Sequence, residues 1–221
     1  MRESTELERL IAALRGRLPP LAAYPAELRR FSPGEALMRQ GEPLTHLCLL
    51  LKGSARVYTL LPNGRTLLHA LSREGGAIGD LELLQGRGTI MNNVQALSSG
   101  AIACISLETC QSALMADPAM LRYLGGELAA KLCQSTRYAA QNMLYPLSAR
   151  LAAYLGQTGP DGVFDESLIR VSEQLGVSYR HLLRTLHDFC ARGLLARCPG
   201  GYRVLNAEAL RREGAQIDTE L

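Results

Sequence analysis

The sequence predicts an α+β protein: an N-terminal antiparallel β-roll, one long helix and a C-terminal winged helix-turn-helix. Three observations carry that prediction. Between Phe31 and Ser106, short apolar segments are separated by glycine-containing turns, the pattern of a chain of short strands. From Ala119 to Met143, apolar residues recur at steps of three and four without a proline, the period of a helix face. After Asp165, two short amphipathic segments flank Gly176, and a hairpin with Pro199-Gly200-Gly201 at its tip follows.

The elements follow in order. Residues 5–16 place Leu7, Leu10, Ile11 and Leu14 at helical spacing, and Pro19-Pro20 prevents continuation. The strand segments then run as EALMRQ, HLCLLLKG, SARVYTLL, RTLLHAL, NNVQAL and AIACIS, with Asn63-Gly64 as the clearest tight turn. The stripe on the long segment consists of Leu121, Leu124, Leu128, Leu132, Ser135 and Ala139. It fits either a helix lying on its own β-domain or a coiled-coil-like seam between two copies of the chain. Pro146 breaks this run and LSARLAAYLG starts a second helix. The expected organisation is residues 1–118 for the N-terminal helix and sensor roll, 119–145 for the long helix, and 146–221 for the winged helix-turn-helix.

Composition narrows the functional classes. With 221 residues, 47% hydrophobic and 20% charged, the chain can bury a core, which excludes wholesale disorder. Apolar runs such as Leu47–Leu51 fall far short of the ~18–20 residues that span a bilayer. The first residues carry charges among their apolar positions and so lack a secretory core, and a cytoplasmic bacterial-type protein without membrane partners is expected. Cys48, Cys104, Cys110, Cys133, Cys190 and Cys198 are dispersed with no CxxC pair. They read as reduced, small hydrophobic residues, with neither a disulfide framework nor a zinc signature.

The chemistry lies in ESLIRVSEQLGVSYRHLLRTLHDFCARGLLARCPGGYRV. Asp165, Glu166 or Ser167 is placed to cap a first helix that buries Leu168, Val171 and Leu175. Ser178 is placed to cap a second helix that buries Leu182, Leu183, Leu186 and Phe189. Tyr179, Arg180, His181, Arg184 and His187 then fall on the outer side, near the end of a recognition helix that reaches base edges. Arginine there can fork onto guanine, whereas Arg170, Arg192, Arg197 and Arg203 suit phosphates. Solvated arginines on an exposed helix are the bland alternative. The combination of capped basic helix, glycine turn and wing favours double-stranded DNA as partner.

On these residues the sequence resembles the Crp/Fnr superfamily of bacterial transcription regulators, from about Phe31 to Leu205. GEPLTHLCLLLKGSARVY is similar to the family's roll strands, and GDLELL at 79–84 to its effector-pocket turn. PNGR at 62–65, IGDLELL at 78–84, RLAAYL at 150–155 and LGVSYRHLL at 175–183 are most similar to its YeiL branch. The resemblance implies a cyclic-nucleotide-binding-like roll and a homodimer joined along the 119–143 helix. It also implies two recognition helices on a near-palindromic operator, an unknown small-molecule effector, RNA polymerase as a further partner, and no resident cofactor.

It further implies where an effector would sit. Cyclic-AMP-binding members hold ribose with a Gly-Glu turn and phosphate with an Arg-Ser pair. Here the turn is Gly79-Asp80-Leu81, and the pair falls on Ile90-Met91, which cannot neutralise a phosphate. Arg87 would replace the missing arginine only with its loop folded inward. The family's two base-reading hydroxyls fall on Ser135 and Thr136, both still hydroxyls. Cyclic AMP binding in the usual way is therefore not expected, and the pocket reads as apolar or closed. A nucleotide- or redox/iron–sulfur-responsive regulator is the alternative within the family, although no cysteine precedes Cys48. A β-roll metal enzyme is the alternative outside it. That site needs two histidines and a carboxylate, and only His46 and His69 lie in the roll, both expected on strand surfaces. The sequence therefore predicts a regulator and not an enzyme.

Overall fold

The computed structural model describes residues 2–215 and 217, except 22, 62–65 and 159–161. The chain forms two compact units, residues 1–135 and 136–221. The first contains α1 (Arg2–Ala13), β1 (Ala26–Phe31), β2 (Ala36–Met38), β3 (His46–Lys52), β4 (Ala55–Leu60), β5 (Thr66–Ser72), β6 (Ala77–Ile78), α2 (Asp80–Leu84), β7 (Asn93–Ala96), β8 (Gly100–Ser106), α3 (Leu107–Ala116) and most of α4 (Pro118–Leu144). Its strands form two antiparallel four-stranded sheets, ordered β1-β8-β3-β6 and β2-β7-β4-β5. The Asn63-Gly64 turn lies outside the described residues, and β4 and β5 pair antiparallel from Leu60 opposite Thr66.

Strand β3 shows why a continuous apolar run was needed. Leu47 and Leu49 pack with Leu114 of α3 and Met120 and Leu124 of α4. Cys48 and Leu50 point the other way, among Leu37, Ile78, Val94 and Ile102. A strand covered on both faces cannot alternate apolar with polar residues. Cys48 faces Cys104 across the β3–β8 pair with the two sulfurs 3.3 Å apart, and both thiols are free and buried.

The expected N-terminal helix ends at Ala13, before the Pro19-Pro20 pair, in a tight turn in which the Arg17 amide bonds Leu14 O at 2.9 Å. The long helix begins at Pro118, whose missing amide hydrogen costs nothing in a first turn. Asp117 caps it, one carboxylate oxygen accepting the Ala119 N–H at 2.8 Å and the other the Tyr24 hydroxyl at 2.8 Å. Those bonds hold the Asp117 carboxyl below its usual range, the Tyr24 bond foremost. The start of α4 thus belongs to the β-domain. Leu124 is 0% exposed in that domain's core, so it has no surface to offer a second copy, which corrects its place in the expected seam.

The second unit contains the end of α4, then α5 (Leu147–Thr158), β9 (Val163–Phe164), α6 (Leu168–Gln174), α7 (Tyr179–Ala191), β10 (Leu195–Cys198), β11 (Gly201–Val204) and α8 (Ala207–Gly214). Leu151, Leu155, Phe164, Val171, Leu182, Leu186, Phe189, Leu195 and Leu210 share its core. The expected hairpin forms, and β9 adds a third strand to give the order β10-β11-β9. Buried Arg150 donates to Tyr145 O at 3.2 Å, to the Asn142 side chain and to Leu175 O, satisfying a carbonyl at the end of α6.

Candidate functional site

In the second unit, α6 and α7 are joined through Gly176, Val177 and Ser178. Gly176 has φ +63°, the left-handed turn that favours glycine, and the Asn142 amide packs against it, its Nδ2 2.8 Å from where a Cβ would lie. Val177 packs against the core. Ser178 caps α7 as expected, its Oγ accepting the His181 N–H at 3.2 Å. Ser167 occupies the corresponding position before α6, but its side chain makes no capping bond.

The packing of α7 decides which of its side chains face outward. Leu182, Leu186 and Phe189 are 0% exposed, and Leu183 is half-buried. Tyr179, Arg180, His181, Arg184 and His187 are all exposed. Arg180 and Arg184 form no ion pair among the described residues. Arg170, on α6, is exposed as well.

The remaining arginines separate. Arg192 bonds Glu213 at 2.6 Å and Asp188 at 3.3 Å, so its charge is committed inside the unit instead of offered to phosphate. Arg197 and Arg203 are both exposed on the hairpin, but on opposite faces. Arg197 stands opposite Tyr202, and Arg203 opposite Ala196, and neighbouring residues on a strand point to opposite sides.

In the first unit, a cavity of about 680 Å³ opens between the roll and α4. Gly79, Asp80, Leu81, Met91 and Ser135 line it, as the sequence suggested. Two other expected residues do not. Ile90 is buried on the core side with Phe31, Ile78 and Val94, one step out of phase with Met91 along the chain. Thr136 is exposed and is not among the lining residues. Gly79 takes φ +88° at the start of α2, where a Cβ would lie 3.1 Å from His46 O, so the sharp entry into α2 needs glycine. Arg87 is exposed and bonds Gln85 at 2.7 Å, turned away from any phosphate role.

The cavity's polar groups were mostly not foreseen. Lys131 reaches from α4 to both Asp80 carboxylate oxygens and to Ala77 O, each at 2.7 Å. Glu82 is buried, and its Oε1 accepts the Met91 N–H at 2.9 Å. His69 lines the cavity half-buried, which corrects its expected place on a strand surface, and Thr59 Oγ1 meets its Nε2 at 2.7 Å. Burial lowers the pKa of His69 and favours the neutral ring. Thr59 also donates to Asn92 Oδ1 at 2.8 Å, which leaves His69 Nε2–H as the donor to Thr59. Period-two alternation in β4 and β5 was the available signal for Thr59 and His69, and a one-turn offset of the helix stripe was the signal for Lys131.

The comparisons with known proteins agree with this geometry. The cyclic nucleotide-binding domain family matches residues 28–117. The regulatory protein YeiL of Escherichia coli O157:H7 is 30% identical over 193 residues, covering 87% of this chain and 88% of that protein. This chain belongs to the Crp/Fnr family of transcription regulators. A Crp/Fnr-family transcriptional regulator from Eubacterium rectale shares its fold at 16% identity with TM-score 0.75, over 96% of this chain and 94% of the other. The c-di-GMP responsive global regulator CLP of Xanthomonas campestris gives TM-score 0.74 at 20% identity, over 88% and 99%.

As a Crp/Fnr regulator, the protein has relatives that regulate transcription and are not enzymes. Among the described residues no helix is long and apolar enough to cross a membrane. None of their His, Cys, Asp and Glu side chains gather in threes that could hold a metal ion.

Proposed function

We propose that this Crp/Fnr regulator acts as a homodimer that reads a near-palindromic site in double-stranded DNA. The observation that carries the reading is α7, capped by Ser178, buried through Leu182, Leu186 and Phe189, and exposing Tyr179, Arg180, His181 and Arg184. Docked in the major groove, Arg180 and Arg184 fork onto guanine edges, each good pair worth ~1–3 kcal/mol of discrimination. Arg170 and Arg197 hold phosphates. Arg197 is favoured over Arg203 because it shares its face with Tyr202, which packs against the core that also holds Leu182, Leu186 and Phe189 of α7.

The homodimer forms along α4, but on a different stripe from the one expected. Gly125, Ala129, Leu132, Thr136, Ala139 and Met143 are exposed and separated by steps of 4, 3, 4, 3 and 4, the coiled-coil repeat. Leu132 is 69% and Met143 85% exposed in the single chain. Leu128 and Ser135 are half-buried and line the cavity, Leu132 borders it from its exposed position, and Leu121 is half-buried. Two half-sites ~10 base pairs apart follow from a two-fold dimer of this kind.

The roll is the sensor, and it does not take cyclic AMP in the usual way, because Ile90 and Met91 stand where a phosphate-binding pair would be. An effector acts through α4, which carries both the cavity residue Lys131 and the seam residue Leu132, and RNA polymerase is the partner on the promoter.

Selection of binding sites from a random DNA pool with the purified protein tests this reading. Recovery of a near-palindrome, with affinity that falls steeply as salt rises, is the expected result. Failure to enrich any site, with and without lysate small molecules added, overturns it.

A further inference from the structure

We propose that the roll cavity takes an uncharged, predominantly apolar small molecule with one neutral hydrogen-bonding group, in place of an anionic nucleotide. This inference rests on the reading of the roll as the sensor.

Among the described lining residues, Lys131 is the only side chain with a permanent positive charge, and Asp80 and Glu82 are both carboxylates. All three Lys131 N–H donors are spent, two on Asp80 and one on Ala77 O. The Asp80 side chain is 4% exposed. An anionic ligand recruiting Lys131 would strand that carboxylate without its partner, away from water. It would also meet the second carboxylate, Glu82, whose bond to Met91 N–H fixes it in place. A cationic ligand aimed at Asp80 would have to displace Lys131 with no gain, and one aimed at Glu82 would meet a carboxylate already held by Met91 N–H. A neutral ligand leaves the pair intact.

The walls supply the rest. Met38, Val57, Ile78, Met91, Val94 and Leu128 present apolar surface around a volume in the range that encloses a drug-sized molecule. The uncharged polar lining is Gln40, Ser135 and a cluster of Thr59, His69 and Asn92 already bonded to one another. With His69 Nε2–H and the Thr59 hydroxyl engaged, the Asn92 amide hydrogens and the His69 Nδ1 lone pair are what the cluster can still offer. A hydroxyl, carbonyl or amide on the ligand matches them.

The test uses two fluorophores that differ in charge on the same ring system. N-phenyl-1-naphthylamine is neutral, and 8-anilino-1-naphthalenesulfonate carries a sulfonate. Titrated into the full-length protein, the neutral probe is expected to bind at one site per chain. The sulfonate should bind at least about tenfold more weakly. Excess cyclic AMP should leave the neutral probe in place. Val57→Trp and Leu128→Trp, each filling the cavity from a different wall, should abolish the site, with circular dichroism showing which of them remains folded. Equal or tighter binding of the sulfonate, displacement by cyclic AMP, or unchanged binding in a folded tryptophan variant overturns the proposal. Lack of saturable binding of the neutral probe overturns it too. DNA-site selection on the same preparation separates the two readings: a recovered palindrome with no probe binding defeats this inference alone.

Discussion

Lys131 and Asp80, 51 residues apart, form a fully bonded ion pair in which Lys131 Nζ lies 2.7 Å from both carboxylate oxygens. The pair ties α4 to the turn that begins α2, and it is largely shielded, with side chains 19% and 4% exposed. Removing one partner leaves a desolvated charge, which is costlier than never having had the pair.

Lys131→Met should therefore destabilise the protein by about 3 kcal/mol or more, and Lys131→Met with Asp80→Asn should recover part of that loss. Urea unfolding measures both. A single variant that loses under about 1 kcal/mol would show the pair to be solvated, as surface pairs are.

The α4 surface predicts opposite outcomes for neighbouring leucines. Leu132→Glu should yield a folded monomer by analytical ultracentrifugation, since Leu132 is 69% exposed in the single chain. Leu124→Glu should prevent the β-domain from folding, because it places a carboxylate among Leu47, Leu49 and Met120. A dimer that survives Leu132→Glu would move the seam off this face.

The two wing arginines should differ as well. Arg197→Ala should weaken binding to every DNA sequence and lower the salt slope by ~1, whereas Arg203→Ala should change both little. Arg180→Ala should relax base preference at one position of the selected site, at a cost of ~1–3 kcal/mol in discrimination. Unchanged base preference would remove Arg180 from the set of base-reading residues.

Acid should loosen the second unit through Glu213. The Arg192 guanidinium holds this carboxyl below its ordinary value of 4.5. A depressed folded pKa means that the unfolded chain takes up its proton first. The stabilisation is complete above about 4.5 and is lost as pH falls through the folded value. Partial exposure keeps it to ~1 kcal/mol at most. The gap in melting temperature between wild type and Glu213→Gln should close between about pH 6 and about pH 3. A gap that stays constant would contradict this role.

Gly176→Ala should destabilise the second unit by about 1 kcal/mol or more, because it forces a Cβ into a left-handed turn beside Asn142. Calorimetry of the variant would show the shift. A melting transition that does not move would mean that neither the left-handed turn nor the Asn142 contact resists a Cβ.

Local pattern determined much of this protein. The alternation of short strands and glycine turns, the unbroken run to Leu144, the Ser178 cap and the Pro199-Gly200 hairpin are all set by neighbours within a few residues, so they can be read along the chain. The two faces of α7 were legible for the same reason, since its buried and exposed positions alternate with the helical period. Tertiary structure decided what those faces meet. An apolar helix stripe records that something covers it, but not whether the cover is the chain's own domain or a second copy. Leu124 went to the core, whereas Ala129, Leu132 and Met143 were left exposed. The partners of Arg192, the opposite faces of Arg197 and Arg203, and the cavity's Lys131–Asp80 and Thr59–His69–Asn92 contacts were likewise settled in three dimensions. Each joins groups distant along the chain or depends on register, and pairing across a fold has no periodic signature in the sequence.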